Sequence, residues 1–381
     1  MDSRGRVLTA LSHREPDRVP FDLGGTHVTG IAVGAYLRLR EYLGLTEGEV
    51  EVCDHIQQLA LPDESVLERL RVDTRGLYPK TSHNWGVSPE DAGDAWLYRD
   101  EWGMLHRMEK GGLYYTVVEH PLASASSPED VERHRWPEPD GRWRIEGLRE
   151  QAERFRSQGK AVMLKGLCAG LFEMGQRLRG PEQFMVDLML DRRMAEAILD
   201  KVLELKVRFW EMALGELGEV VDVVMDGDDY GTQTSQLVSP ELFREVFKPR
   251  LRELIEAIHK AAPGVHLMFH SCGSVREIIP DLIEIGARIL NPVHIRASGM
   301  EPEGLKRDFG DVLTFWGGGV DTQEVRPRGK PEEVREHVRR NVEALAPGGG
   351  FVFAAVHNVQ ADVPPENFMA MWEALQEFGV Y

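Results

Sequence analysis

The later part of the chain alternates short apolar runs with long amphipathic segments. From about residue 160 onward each run is rich in valine, leucine, isoleucine or phenylalanine, and a segment with helical periodicity follows it. Such alternation is typical of βαβ units, because a parallel sheet needs crossover helices that cover its faces. The pattern predicts six strands, at 161–167, 220–226, 265–270, 287–291, 312–316 and 351–356.

Two upstream runs, 18–22 and 71–78, bring the predicted strands to eight. Eight strands close a barrel that side chains can fill, so we predict an α/β fold, a (β/α)8 TIM-type barrel with residues 1–381 as a single domain. The segment 94–121 has strand-type runs between glycine turns and is predicted as a β-hairpin insertion. An open doubly wound sheet is the alternative, although no Gly-x-Gly-x-x-Gly loop opens a helix.

Proline and glycine mark the predicted helix boundaries. Pro181, Pro240, Pro331 and Pro365 each stand where a first helical turn tolerates proline. The sequences Ala-Pro-Gly at 262–264 and 346–348 are predicted to end helices just before the next strands.

Composition restricts the classes of partner. The formal charge of −18 argues against binding to nucleic acid or to an anionic membrane, since both require a cationic surface. Three cysteines in 381 residues suit a reducing compartment better than a disulfide framework. No apolar run of membrane-spanning length and no signal peptide are recognised, so we expect a cytoplasmic protein. The sequence leaves open whether the protein forms a homodimer.

His270 and Cys272 stand at the C-terminal end of a predicted strand, where barrel enzymes place their active sites. Imidazole and thiolate two residues apart suit zinc, so both are predicted metal ligands. His357 follows the last predicted strand and is the predicted third ligand, which leaves one tetrahedral position open for catalysis. A polar loop that packs a thiol, and a histidine hydrogen-bonded within its loop, are the structural alternatives.

Further polar residues follow the predicted strands. Asp226, Asp228 and Asp229 form an acidic cluster whose mutual repulsion would raise a pKa, so they are candidate catalytic acids together with His357, or an additional hard ligand. A surface loop rich in aspartate and glycine is the alternative. The remaining candidates, predicted to contact a cofactor or to orient a ligand, are Gln233, Asn291, Asp321 and Asn358.

Several segments together resemble the uroporphyrinogen decarboxylase superfamily. They are Asp-Arg-Val-Pro at 17–20, His-Ser-Cys-Gly at 270–273, Ile-Leu-Asn-Pro-Val at 289–293, Gly-Gly-Gly-Val-Asp-Thr-Gln at 317–323 and the stretch from 357 to 367. The superfamily contains cofactor-free porphyrinogen decarboxylases and zinc-dependent methyltransferases that move methyl groups between a corrinoid and a small acceptor. The resemblance is closer to the methyltransferases, whose metal motif pairs His-x-Cys with a later cysteine; here His357 stands at that later position.

The resemblance implies a zinc-dependent methyltransferase acting between a corrinoid, as methylcobalamin or a corrinoid protein, and a small thiol, folate or methoxy compound. No Asp-x-His-x-x-Gly attachment motif is present, so the corrinoid would come from outside. The decarboxylases bind their octa-anionic substrate with an arginine-containing segment after the Val-Pro pair, whereas this chain has residues 21–27 without arginine. A cofactor-free decarboxylase of a smaller acid and a non-catalytic ligand-binding barrel are the alternatives.

Overall fold

The computed structural model of the protein describes residues 1–82 and 87–381. Its strands, in chain order, are β1 (Ile31–Ala32), β2 (Val52–Asp54), β3 (Leu59–Ala60), β4 (Thr74–Leu77), β5 (Glu90–Asp91), β6 (Ala95–Arg99), β7 (Leu105–Glu109), β8 (Thr116–Glu119), β9 (Ala161–Lys165), β10 (Val223–Gly227), β11 (His266–His270), β12 (Ile289–Asn291), β13 (Thr314–Trp316) and β14 (Phe351–Val352).

The helices cover the outside of the barrel and its N-terminal end. They are α1 (Ser3–Leu11), α2 (Val33–Leu43), α3 (Glu64–Arg69), α4 (Pro128–Arg133), α5 (Leu148–Ser157), α6 (Leu171–Arg179), α7 (Pro181–Leu190), α8 (Arg192–Leu217), α9 (Pro240–Leu242), α10 (Lys248–Ala261), α11 (Ile279–Glu284), α12 (Pro302–Phe309), α13 (Val325–Arg328), α14 (Pro331–Leu345) and α15 (Pro365–Phe378). The four predicted proline starts and both predicted helix ends, after α10 and α14, are confirmed.

Seven strands form one parallel sheet in the order β4, β9, β10, β11, β12, β13 and β14. Neighbours in this sheet follow one another along the chain, apart from the inserted strands between β4 and β9, and helices connect them. The sheet curls, and its inner face carries apolar side chains such as Met163, Met225 and Met268, which are buried. The predicted α/β barrel is therefore confirmed, with strands shorter than the apolar runs suggested.

The segment 18–22 closes the barrel, but it does so without forming a regular strand. The backbone NH of Phe353 donates to the Pro20 carbonyl (2.8 Å), and the NH of Asp22 donates back to Phe353 (2.9 Å). On the other side, the NH of Asp73 donates to the Phe21 carbonyl (2.9 Å). Because Pro20 has no NH to donate, the ladder here is reduced to a bridge between Phe21 and Phe353.

A buried carboxylate holds this closing segment in place. Asp73, just before β4, is fully buried and accepts hydrogen bonds from Arg6 (2.7 Å), from Arg18 (2.8 Å) and from the backbone NH of Phe21 (2.8 Å). Arg18, the arginine of the Asp-Arg-Val-Pro sequence, therefore stabilises the fold, because it joins the closing segment 18–22 to the residue that precedes β4.

The insertion between β4 and β9 is a four-stranded antiparallel sheet, in the order β5, β6, β7, β8. Tyr98 stacks on His106 at 4.7 Å, and Tyr115 meets Tyr98 edge-on at 4.9 Å. The sheet contacts the remainder of the chain through the NH of Tyr115, which donates to the Ile56 carbonyl (2.8 Å). It lies over the C-terminal mouth of the barrel, where its residues line the cavity described below. Among the described residues, no helix has the length and hydropathy needed to cross a membrane.

Candidate metal centre and active-site cavity

Adjacent strand ends bring Asp229, His270 and Cys272 together. The strands β10 and β11 pair in parallel with Gly227 opposite His270, so the residues that follow both strands meet at the barrel mouth. The ligand atoms of the three side chains all lie within 4.8 Å of one another. His270 Nε2 lies 3.5 Å from Cys272 Sγ and 3.5 Å from Asp229 Oδ1, and the backbone NH of Cys272 donates to Asp229 Oδ1 (2.8 Å).

Asn291 fixes the ring of His270. Its Nδ2 donates to the Trp316 carbonyl (2.8 Å), so its Oδ1 is left to accept from His270 Nδ1 (2.6 Å). His270 Nδ1 therefore carries a proton, and Nε2 is the ring nitrogen that faces Cys272 and Asp229. Metal-binding histidines are oriented in this way by a partner on the other ring nitrogen.

Both separations from His270 Nε2 fit the edges of a tetrahedral site. With bonds of about 2.0–2.1 Å to nitrogen and oxygen and about 2.3 Å to sulfur, the edges of a zinc tetrahedron measure roughly 3.3–3.6 Å. Both distances from His270 Nε2, 3.5 Å, fall in this range. Three protein ligands of nitrogen, sulfur and oxygen type leave the fourth position free, as catalytic zinc sites do.

The electrostatics of the group also suit a cation. Burial and the Asp229 carboxylate raise the pKa of the Cys272 thiol well above its ordinary value. A divalent ion would reverse that effect, because it stabilises the thiolate and offsets the repulsion between thiolate and carboxylate.

A cavity of about 570 Å³ opens beside this group. Its walls come from the barrel mouth, from the segment around residues 53–57 and from the insertion, including Tyr98 and Tyr115. His270, Asp229 and His357 all line it. Burial, with the nearby His270, lowers the pKa of His357 to about 4, so its imidazole is neutral at neutral pH.

His357 is not part of the group of ligand atoms that lie within 4.8 Å of one another among the described residues. Its place in the ligand set remains a prediction, whereas Asp229, which the sequence suggested chiefly as a catalytic acid, lies where a third ligand would be. Asp229 lies just beyond the end of β10, and the hydrogen bond that its Oδ1 accepts from the backbone NH of Cys272 holds it beside the other two side chains.

Asp226 and Asp228 bind groups of the surrounding helices. Asp226 is buried, pairs with Lys206 Nζ (2.9 Å) on α8 and accepts from Trp210 Nε1 (2.8 Å). Asp228 accepts from the backbone NH of Phe172 (2.5 Å) in the first turn of α6. Asp228 also borders the cavity, and burial raises its pKa to about 7. Asp226 thus has a structural partner for each oxygen, while Asp228 keeps both a structural contact and access to the cavity.

The other predicted residues lie around the mouth with different partners. Asn291 contacts His270, as described. Gln233 is within hydrogen-bond distance of His294 (3.1 Å), whose Nδ1 accepts from the backbone NH of Gly273. Asp321 accepts from three backbone NH groups at the start of α13, and Asn358 bonds Gly30, His27 and Gln57. Contacts of Gln233, Asp321 and Asn358 with a cofactor therefore remain predictions.

The barrel and this strand-end group define a class of protein, an α/β barrel with a candidate metal centre at its mouth. The family model described as Uroporphyrinogen decarboxylase (URO-D) matches residues 102–378. The chain therefore belongs to the uroporphyrinogen decarboxylase family, which confirms the resemblance inferred from its sequence segments.

One solved structure of similar length supports the fold, and a second is a weaker match. A methyltransferase from Methanosarcina mazei matches with a TM-score of 0.64 and 19% identity, over 99% of this chain and 99% of that chain. Xylanase 10B from Thermotoga maritima matches with a TM-score of 0.38 and 11% identity, over 65% of this chain and 90% of that chain. No match is found among curated protein sequences.

Proposed function

We propose that the protein is a zinc-dependent methyltransferase that moves a methyl group between a corrinoid and a small thiol, folate or methoxy compound. The observation that carries the proposal is the set of Asp229, His270 and Cys272, whose ligand atoms lie within 4.8 Å of one another beside a cavity of about 570 Å³. Family membership and the fold shared with a methyltransferase are consistent with it.

The protein groups have distinct roles in this proposal. Asp229, His270 and Cys272 hold the ion, and Asn291 keeps His270 Nε2 directed at it. Bound there, zinc supplies a Lewis acid that keeps a thiol ionised or polarises a methoxy oxygen. His357, which is neutral in the same cavity, offers a ring nitrogen that can accept a hydrogen bond from the incoming substrate.

The methyl carrier comes from outside the chain. The sequence has no corrinoid-attachment motif, so methylcobalamin or a separate corrinoid protein is proposed to reach the cavity at the barrel mouth. We place the activity in the cytoplasm, where the free thiols of Cys53, Cys168 and Cys272 would stay reduced.

Metal analysis of the purified protein after zinc incubation tests the proposal. We expect about one zinc per chain in the parent protein and loss of zinc in the variants Asp229→Ala, His270→Ala and Cys272→Ser. Cys168→Ser is the matched control, because Cys168 is another free thiol that lines the cavity, and it should retain zinc. His357→Ala tests the other predicted ligand: loss of zinc would place His357 in the ligand set, and retained zinc with loss of methyl transfer would give it a catalytic role alone. A parent protein without stoichiometric metal would refute the proposal.

A cofactor-free decarboxylase is the second candidate, and Asp228 is the observation that favours it. A buried carboxyl group whose pKa is raised to about 7 can donate a proton to the carbanion that remains after carbon dioxide leaves. Release of carbon dioxide from a small organic acid by metal-free protein, abolished in Asp228→Asn, would favour this candidate over methyl transfer.

A further inference from the structure

Lys165 is a cationic side chain in the cavity that the proposed chemistry does not use. It is the last residue of β9, it is half-buried, and it lines the cavity. In the part of the chain that the structure describes, its side chain makes neither an ion pair nor a hydrogen bond. A lysine in a cavity wall without a partner has its hydrogen-bonding capacity free for a ligand.

The other charged side chains of the cavity wall differ from Lys165 because they have partners. The contacts that satisfy them are the pairs Arg99–Glu119, Arg177–Glu173, Glu101–Arg144 and Asp100–His106, the backbone contacts of Asp54 and Asp228, and the metal group that contains Asp229. Among the described residues of the wall, Lys165 is thus the cation left free to compensate an anionic ligand.

The position of Lys165 suits one end of a small substrate. His27 and Cys53 line the same cavity; burial lowers the pKa of His27 and raises the pKa of the Cys53 thiol, and the charge of Lys165 acts on both groups, so the ammonium lies near them in the cavity. Lys165 pairs with Met225 on β10, and Gly227 of the same strand pairs with His270. The strands β9 and β11 are therefore separated by β10 alone, which places them roughly 10 Å apart.

We propose that Lys165 binds a carboxylate of the substrate, while the reacting sulfur or oxygen of the same molecule lies at the group of Asp229, His270 and Cys272. The substrate class is then a small thiol or methoxy compound that carries an anionic group. The position of the reacting end rests on the proposed function; the carboxylate contact does not. A chain with a net charge of −18 repels anions, so a local cation of this kind is needed to bind one.

Calorimetric titration with two matched thiols, 4-mercaptobutyrate and its uncharged amide, tests the proposal. Zinc-incubated parent protein is expected to bind the carboxylate about tenfold more tightly than the amide or better, the size expected for a charge-assisted hydrogen bond. In Lys165→Gln the two affinities should agree within about twofold, while Lys165→Arg should keep part of the preference. Lys201→Gln, which removes an equal charge on α8 outside the cavity wall, should behave as the parent.

The same titration with His270→Ala separates this proposal from the proposed function. Without the metal group both thiols should bind more weakly, but the preference for the carboxylate should persist. If the parent protein takes up no zinc and yet prefers the carboxylate through Lys165, the anion site stands and the methyltransferase does not. Equal affinities in the parent, binding of neither thiol, or a preference that survives in Lys165→Gln would overturn the assignment of Lys165.

Discussion

Replacing Asn291 with alanine is expected to weaken zinc binding while leaving all three ligands in place. Asn291 Oδ1 accepts a hydrogen bond from His270 Nδ1 (2.6 Å), and Asn291 Nδ2 donates one to the Trp316 carbonyl (2.8 Å). Without it the ring can rotate, and Nε2 is no longer directed at Cys272 and Asp229. Loss of such an orienting contact costs about 10- to 100-fold in metal affinity, or roughly 1.4–2.7 kcal/mol.

The variant also loses stability in the absence of metal. The side chain of Asn291 is fully buried, so its removal leaves the His270 NH and the Trp316 carbonyl without partners. Each unsatisfied buried group costs about 1–3 kcal/mol. Competition with a chromophoric chelator gives the zinc affinity of folded protein, and thermal unfolding with and without zinc gives the stability and its dependence on zinc concentration.

Asn358→Ala is the matched control. Asn358 is equally buried and bonds the backbone of Gly30 and His27, but it does not contact the metal group. The Asn358→Ala protein should lose a comparable amount of stability and keep the parent protein's affinity for zinc. If Asn291→Ala folds and binds zinc as tightly as the parent, or if both variants lose affinity equally, the argument that Asn291 directs His270 is wrong.

Three further variants test other parts of the structure. Lys206→Met leaves Asp226 as an unpaired buried charge and should lower the free energy of unfolding by about 3–5 kcal/mol in denaturant titration. Asp73→Ala leaves Arg18 without a carboxylate partner at the barrel closure, while Arg6 keeps its pair with Asp17, and the loss of stability in the same assay should be similar. His357 has a pKa of about 4 when folded against an ordinary 6.5, so the unfolded chain takes up its proton first; the stability of metal-free protein should fall between pH 6.5 and 4, and less so in His357→Gln.

Lys201→Met serves as the control for the first two variants, since Lys201 lies on the same helix as Lys206 and pairs with the exposed Glu204. It should change stability by no more than about 0.5 kcal/mol. A Lys206→Met or Asp73→Ala protein as stable as this control, or an unchanged pH profile in His357→Gln, would contradict the corresponding argument.

The sequence predicts the barrel well because each strand and helix start depends on local residues. Apolar runs locate the seven strands of the parallel sheet, and proline marks helix starts such as Pro331 and Pro365. The closing segment is less regular than predicted, since Pro20 cannot donate to the ladder. Its closure depends on Asp73, a partner far along the chain that no local pattern indicates.

The site is predictable to the extent that strand ends determine it. His270 and Cys272 lie at the end of β11 and meet at the mouth, and Asp229 joins them from the end of the neighbouring strand. The hydrogen-bond partners of these residues are harder to predict, because a polar side chain that follows a strand can equally accept hydrogen bonds from the backbone of its own loop, as Asp321 does. Lys165 was missed for a related reason: a lysine that ends an apolar run is usually a solvated charge, and only the surrounding walls show that it faces a cavity.

The inserted sheet allows part of the cavity wall to vary independently of the barrel strands. The strands β6 to β8 bond to one another, and side chains such as Tyr98 and Tyr115 form part of the cavity wall. The candidate metal centre of Asp229, His270 and Cys272 lies at the ends of β10 and β11, which the insertion does not interrupt. Substitutions in the insertion can therefore change the size and polarity of the accepted molecule while the barrel strands stay as they are. Relatives with the same strand ends and different insertions are then expected to diverge in substrate before they diverge in reaction.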